Sequence, residues 1–207
     1  MNQFRSLFVF VFILSFTACA TYKPQYANKQ DKQNKFPAKE IDKTFYLIGD
    51  AGKSPYGGMS LALTAFNNYI ENKKTKGDYT IFLGDNVYPA GLPKKEDKGR
   101  ANAENALKAQ AKSVSSFKGE TLFIPGNHDW YAGGVKGLRR EEKYVDDLIG
   151  KNTFQPEKGC PLESIDVSET IQLIIIDTQW YLENWNSHPT INDECEIKTR
   201  ERFFFGD

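Results

Sequence analysis

Three short apolar runs, each ending in a tight turn that carries oxygen donors, predict an α/β fold with a parallel sheet. The turns are Gly49-Asp50-Ala51-Gly52, Gly84-Asp85-Asn86-Val87-Tyr88 and Gly126-Asn127-His128-Asp129. Segments of helical period separate the runs, so the order reads β-α-β-α-β-α, the pattern of helices layered on a sheet. Loops at the C-terminal ends of such strands are where α/β proteins usually hold ligands.

The elements follow in order. Residues 44–48 read as the first strand. Residues 59–72 read as a helix with Leu63, Phe66 and Ile70 on one face. Residues 79–83 form the second strand, residues 100–116 an Ala-rich helix, and residues 121–124 the third strand. Residues 138–149 make a charged helix closed by Gly150, and its stretch from Arg139 to Lys143 reads as a solvated face. Residues 162–167 and 170–177 lie close in sequence and predict an antiparallel pair, and residues 197–205 look like the start of another helix. There is no internal repeat. Three consecutive phenylalanines, Phe203 to Phe205, stand at the end of the sequence and would normally be covered, so the expectation is an N-terminal portion of a longer protein.

The 207 residues suffice for one domain plus a tail, and 40% hydrophobic content allows a core. Lys+Arg and Asp+Glu are 27 each, so no global field points to nucleic acid. Residues 8–16 form an apolar run after Arg5, too short for a membrane span and of the length of a signal-peptide core. Phe16-Thr17-Ala18-Cys19 closes it and resembles a bacterial lipobox, which makes residues 1–19 a signal and Cys19 the lipidated residue. The chain is then expected to be exported as an outer-membrane or cell-envelope lipoprotein, periplasmic or surface-facing, with the membrane as partner. A plain cleaved signal and an uncleaved anchor are the alternatives, and both also export it. Residues 20–42, rich in Lys, Gln, Asn and Pro, read as a flexible tether before a domain over residues 43–207. Export leaves Cys160 and Cys195 in an oxidising compartment, where they either pair across a 35-residue separation or remain two free thiols.

The turns carry the chemistry. Hydrolysis of a phosphate ester needs a water activated near neutral pH and stabilisation of charge on the transferring group, and two cations about 3.5–4 Å apart supply both. Asp50 and Asp85 are the two carboxylates placed to hold them. A lone Gly-Asp marks turns everywhere, as Gly206-Asp207 does here; two after strands, followed by Gly-Asn-His-Asp after a third, are specific. Tyr88 offers a phenolate suited to a trivalent ion, or a packed aromatic beside Pro89. Asn127 offers a neutral amide oxygen for a divalent ion. His128 is placed to protonate the leaving alkoxide or to orient the phosphate. Asp129 supports the turn or orients the ligands from behind. Asp177, at the end of the last strand, reads as a turn residue before a site residue. Trp130, Tyr131, Trp180, Tyr181 and Trp185 read as packing residues before cleft-lining ones, and His188 as a surface residue. Residues 89–98 and the segment after Trp130 are expected to shape a substrate entrance.

These motifs resemble those of the calcineurin-like metallophosphoesterases, and most those of the purple acid phosphatase branch. The general pattern begins Gly-Asp-x-His, and Gly52 stands here at the His position. The branch pattern, Gly-Asp-x-Gly, Gly-Asp-x-x-Tyr and Gly-Asn-His-(Asp/Glu), matches residues 49–52, 84–88 and 126–129. The resemblance covers residues 43–207. It implies a four-layer α/β/β/α sandwich and hydrolysis of phosphate esters at a dinuclear metal centre. It also implies Asp50 and Tyr88 on a first ion, Fe(III), Asp85 bridging, and Asn127 on a second, divalent ion, Zn, Mn or Fe. His128 would bind phosphate and protonate the leaving group. The family's later motifs, Val-x-x-His and Gly-His-x-His, do not follow, so by residue count half of the ligand set is present. The alternative is a catalytically degenerate surface lipoprotein that keeps the scaffold as a binding or interaction module. A nucleotide-binding fold lacks support, because no Gly-rich phosphate loop with a Lys-(Ser/Thr) pair follows a strand.

Overall fold

The computed structural model describes residues 41–73, 75–183 and 193–200. The predicted signal with Cys19, the tether up to residue 40, Trp185, His188 and residues 201–207 lie outside the described residues.

The three apolar runs form β1 (Phe45–Ile48), β2 (Tyr79–Phe82) and β3 (Glu120–Phe123), all parallel and in the order β1-β2-β3. The register aligns Ile48, Phe82 and Phe123 across the sheet, so the three turns leave from one edge side by side. Strand alternation divides the side chains between two cores. Tyr46, Ile48, Phe82 and Phe123 face the helices, and the rings of Phe82 and Phe123 stack at 4.3 Å. Each of these two fully buried phenylalanines stabilises the fold by about 2–3 kcal/mol. Phe45, Tyr79, Ile81 and Leu122 face the opposite way and meet Ile165, Leu173 and Ile175 of an antiparallel hairpin, β4 (Leu162–Ser168) and β5 (Ile171–Ile176). The described residues thus stack as helices, parallel sheet and hairpin.

Helix α1 (Leu61–Glu71) starts two residues later than its pattern suggests, because Ser60 caps it by accepting from the Leu63 amide at 3.3 Å. Helix α2 (Arg100–Ser113) buries Ala103, Ala106 and Ala109, small residues that let it lie close, and also Gln110. A one-turn helix, α3 (Asn127–Trp130), holds the third motif and was not expected. Helix α4 (Val135–Leu148) begins three residues before the predicted start. The reading of Arg139 to Lys143 as a solvated face is corrected here: Glu141 is 0% exposed, sharing the buried side of α4 with Leu138 and Val145. A last short helix, α5 (Gln179–Leu182), follows the hairpin. Residues 197–199 are not helical, contrary to expectation, and helical geometry begins only at Arg200. Ile197 instead packs against the core close to Cys195, which is disulfide-bonded to Cys160. No helix among the described residues is long and apolar enough to cross a membrane.

Candidate metal centre

The first two turns bring their donors to the sheet edge by a backbone that few residues tolerate, and the third brings its own on a helical turn. Asp50 and Asp85 both sit in the left-handed region, with φ of 55° and 53°. Such a conformation costs a non-glycine residue on the order of 1 kcal/mol and persists where its surroundings enforce it, often at functional sites. Gly52 lies against the second turn. Its amide donates to the Asp85 carbonyl at 2.9 Å, and its carbonyl accepts from the Tyr88 amide at 3.1 Å. A Cβ at position 52 would stand 2.6 Å from the Val87 nitrogen and would strike the Asp85 carbonyl oxygen. No side chain of any kind fits there. Gly84, with φ of 93°, makes the matching close approach to the Gly126 backbone of the third turn.

This packing gathers Asp50, Asp85, Tyr88 and His128. The Tyr88 hydroxyl lies 2.5 Å from Asp50 Oδ1 and 2.6 Å from Asp85 Oδ2. Asp85 Oδ1 accepts from the His128 amide at 3.2 Å, and His128 Nε2 lies 3.9 Å from Asp85 Oδ2. The imidazole sits between the rings of Tyr88 and Tyr131, at 4.6 and 5.1 Å. Its Nδ1 faces the Pro89 carbonyl at 2.6 Å and so donates there, which leaves Nε2 as the nitrogen turned to the site. Asn127 is exposed, and its Nδ2 donates to the Tyr131 hydroxyl at 2.6 Å. The Asn127 amide oxygen therefore remains for another partner. A cavity of about 630 Å³ opens beside these groups, with Asp50, Asp85, Asn127, Asp177 and Gln179 in its wall.

The donors suit a hard cation. Among the described residues no three His, Cys, Asp or Glu side chains converge; the convergence is of two carboxylates and a phenol. The phenol has one hydrogen and two carboxylate oxygens at short range, so it serves only one of them fully at a time. A cation among the three oxygens would satisfy both carboxylates. Without one, the bonds to Asp50 and then Asp85 hold the Tyr88 hydroxyl protonated, well above the ordinary phenol value. Asp50, Asp85 and Tyr88, with the Asn127 amide oxygen, are the residues that would hold metal ions.

Behind this layer lies Asp129, fully buried. Its Oδ2 accepts from the Gly126 amide at 2.7 Å and from the Asn86 amide and Nδ2, both at 3.2 Å; its Oδ1 accepts from the Val87 amide at 3.0 Å. One carboxylate thus ties the second turn to the third. Burial pushes it up to about 6, against the pull of those three amides. Gln110 supports the same loop by donating to the Asn86 carbonyl at 2.7 Å. Asp177 does two things. It anchors α5 through the Gln179 amide at 3.0 Å, as a turn residue does, and it lines the cavity while accepting from Trp130 Nε1 at 2.8 Å. Burial raises its carboxyl to about 7. Trp130 and Trp180 are core residues, whereas Tyr131 belongs to the site through Asn127. Sequence reasoning missed Gln110, Glu141 and this role of Tyr131. The spacing of Glu141 from Leu138 and Val145, three and four residues along one helix, was the available signal for its burial.

No curated protein and no solved structure matches the chain. A family model does: calcineurin-like phosphoesterase, over residues 43–205, which spans all three strand–turn units and the hairpin. With three oxygen-bearing turns brought to one end of a parallel sheet and most of the chain inside that match, the chain belongs to the calcineurin-like phosphoesterase family.

Proposed function

We propose that this chain is built to hydrolyse phosphate esters on a dinuclear metal centre of the purple acid phosphatase-like type. The observation that carries this reading is the Tyr88 hydroxyl, within 2.6 Å of both motif carboxylates, beside a Gly52 that leaves no space for a histidine. A phenolate takes the place of the missing imidazole, and a trivalent ion such as Fe(III) is its natural partner. Asp50 and Tyr88 would hold that ion, Asp85 would lie between the two, and Asn127 would hold a divalent Zn, Mn or Fe. The metals, when bound, supply an activated water and charge stabilisation for the phosphoryl group. The chain's own residues do the rest. Tyr131 engages the Asn127 amide through its Nδ2, which leaves the amide oxygen for an ion. The Pro89 carbonyl fixes His128 with Nε2 toward Asp85, where a protonated imidazole can deliver a proton to a departing alkoxide. Export and anchoring through a lipid on Cys19 belong to the same proposal and rest on the sequence of residues 1–19 alone.

The test is metal titration of the full chain followed by visible spectroscopy and an aryl phosphate assay. The expected result is uptake of Fe(III) with a phenolate charge-transfer band that Tyr88→Phe removes, and weak turnover that Asp85→Ala abolishes. Tight uptake of Zn or Mn with no such band overturns the purple acid phosphatase-like assignment. Uptake with no turnover favours a binding module, and no uptake overturns the whole reading.

A further inference from the structure

Arg140 stands in a charged stretch of α4, yet its guanidinium is spent on backbone carbonyls. Nε and Nη2 donate to the Leu92 carbonyl at 3.3 and 3.1 Å, and Nη2 donates to the Ala132 carbonyl at 2.6 Å. Nη1 donates to the carbonyl of Lys136, one turn back on α4, at 2.9 Å. Leu92 belongs to the loop that follows the second motif, and Ala132 to the segment that follows the third. One side chain therefore ties both segments to the same helix. Those two segments also enclose the His128 ring. From the first, the Pro89 carbonyl accepts from Nδ1 at 2.6 Å and the Tyr88 ring lies 4.6 Å away. From the second, the Tyr131 ring lies 5.1 Å away. Little slack separates these groups from the points that Arg140 holds. The Gly91 amide donates to the Val87 carbonyl at 2.9 Å, which closes a tight turn through Pro89. Gly91, with φ of 66°, lies so near the Asp129 carbonyl that a Cβ there would strike it. Leu92 is fully buried, and Ala132 follows Tyr131 directly.

We propose that Arg140 is a positioning residue for His128: its guanidinium clamps the two segments that enclose the imidazole, keeps the Pro89 carbonyl on Nδ1, and so keeps Nε2 turned toward Asp85. The clamp is a property of the fold; its service to proton delivery rests on the function proposed above. The residue type follows from the task. A planar fork presents several donors in fixed directions, so one arginine reaches three carbonyls, whereas the single nitrogen of a lysine offers no such spread. The proton on the ring then stays where the Pro89 carbonyl holds it, since the hydrogen bond at one imidazole nitrogen decides the state of the other. A ring released from that carbonyl carries its proton mostly on Nε2, the nitrogen that faces the site.

The test reads the ring directly, by long-range proton–nitrogen spectra of the full chain without metal, at pH about 8.5, where an ordinary imidazole is neutral. The sequence has two histidines, so a His188→Gln background leaves the His128 signals alone. Arg140→Met keeps bulk and removes every donor. Val145→Ala, a truncation of a buried residue on the same helix, is the control for general loosening. A single Nδ1–H form is expected in the background chain and in Val145→Ala, with the Nδ1–H fraction falling by about half or more in Arg140→Met. An Nε2–H form in the background chain overturns the proposal. So does an unchanged fraction in Arg140→Met, or an equal fall in Val145→Ala. Should Arg140→Met fail to fold, Arg140→Lys decides by the same criterion: charge without the fork still loses Nδ1–H form, and an unchanged fraction overturns the proposal. A second measurement needs no variant. The Arg140 Nε–H of the unsubstituted chain should exchange with solvent about tenfold or more slowly than that of free arginine, and equal exchange overturns the proposal. Neither measurement needs bound metal, so a chain that takes up no metal yet shows both results refutes the proposed function and leaves the clamp standing.

Discussion

Replacing Gly52 by alanine should break the centre while adding a single methyl group. The new Cβ would stand 2.6 Å from the Val87 nitrogen and 2.7 Å from the Asn86 carbonyl carbon, and would strike the Asp85 carbonyl oxygen as well. Carbon contacts become comfortable at about 3.5 Å, so the first and second turns must part by roughly 1 Å. All three obstacles are backbone atoms, and no rotamer change relieves them. Overpacking of this kind costs about 1–3 kcal/mol. The two bridging bonds, Gly52 amide to Asp85 and Tyr88 amide to Gly52, are stretched at about 1 kcal/mol each. The expected loss of stability is therefore about 3–5 kcal/mol. A displacement of about 1 Å between Asp50 and Tyr88 should also lower any turnover by about a hundredfold. Gly49 is the control, because a Cβ there has nothing within 4 Å. Urea denaturation of Gly52→Ala and Gly49→Ala, with metal titration of both, gives the comparison. If the two variants agree within about 1 kcal/mol and take up metal alike, the close packing of the turns does not hold the site, and the reasoning fails.

Three further outcomes are expected. Tyr131→Phe frees the Asn127 amide to turn and should weaken divalent-ion uptake by about 10–100-fold, with stability within about 0.5 kcal/mol of the unsubstituted chain; metal competition against a chelating dye measures the first and urea the second. Asp177, raised to about 7, keeps a proton in the folded chain that the unfolded chain has already released, so its stabilisation is complete at low pH and is lost as pH rises through about 7. Asp177→Asn should remove that dependence, and the stability difference between the unsubstituted chain and the variant should fall with rising pH by up to about 1.4 kcal/mol per unit; a difference that stays flat from acid to neutral pH contradicts it. Replacing Cys160 and Cys195 together by alanine opens the 35-residue loop and should lower stability by about 4 kcal/mol in the chain-entropy model, read from urea midpoints under non-reducing conditions.

The strands and their turns were legible because local signals agree with the fold: an apolar run, then glycine beside aspartate, three times over. The hairpin was legible for the same reason, from two runs close in sequence. What was hidden depends on partners distant in the chain. Glu141 lies in a run of charged residues that reads as surface, yet it is fully buried on the side of α4 it shares with Leu138 and Val145. Tyr131 reads as a packing aromatic until Asn127 turns toward it. The parallel bridge between Phe123 and Phe154, which carries pairing beyond β3, has no periodic signal at all. The last predicted helix failed at its start because Ile197 is drawn onto the core near a disulfide, a constraint that helical periodicity cannot express.

The in-register parallel sheet makes the centre a late event in folding. Tyr88 meets Asp50 across 38 residues, and the His128 amide meets Asp85 across 43. No pair of adjacent strands contains the whole donor set: β1 with β2 lacks Asn127, and β2 with β3 lacks Asp50. Contacts of such sequence separation form slowly, because loop-closure entropy precedes their reward. An ion that binds the finished set would stabilise only the chain in which all three strands have paired. Its protection against proteolysis should accordingly spread across the whole parallel sheet, with β1, β2 and β3 guarded together, instead of remaining at the three turns that touch it.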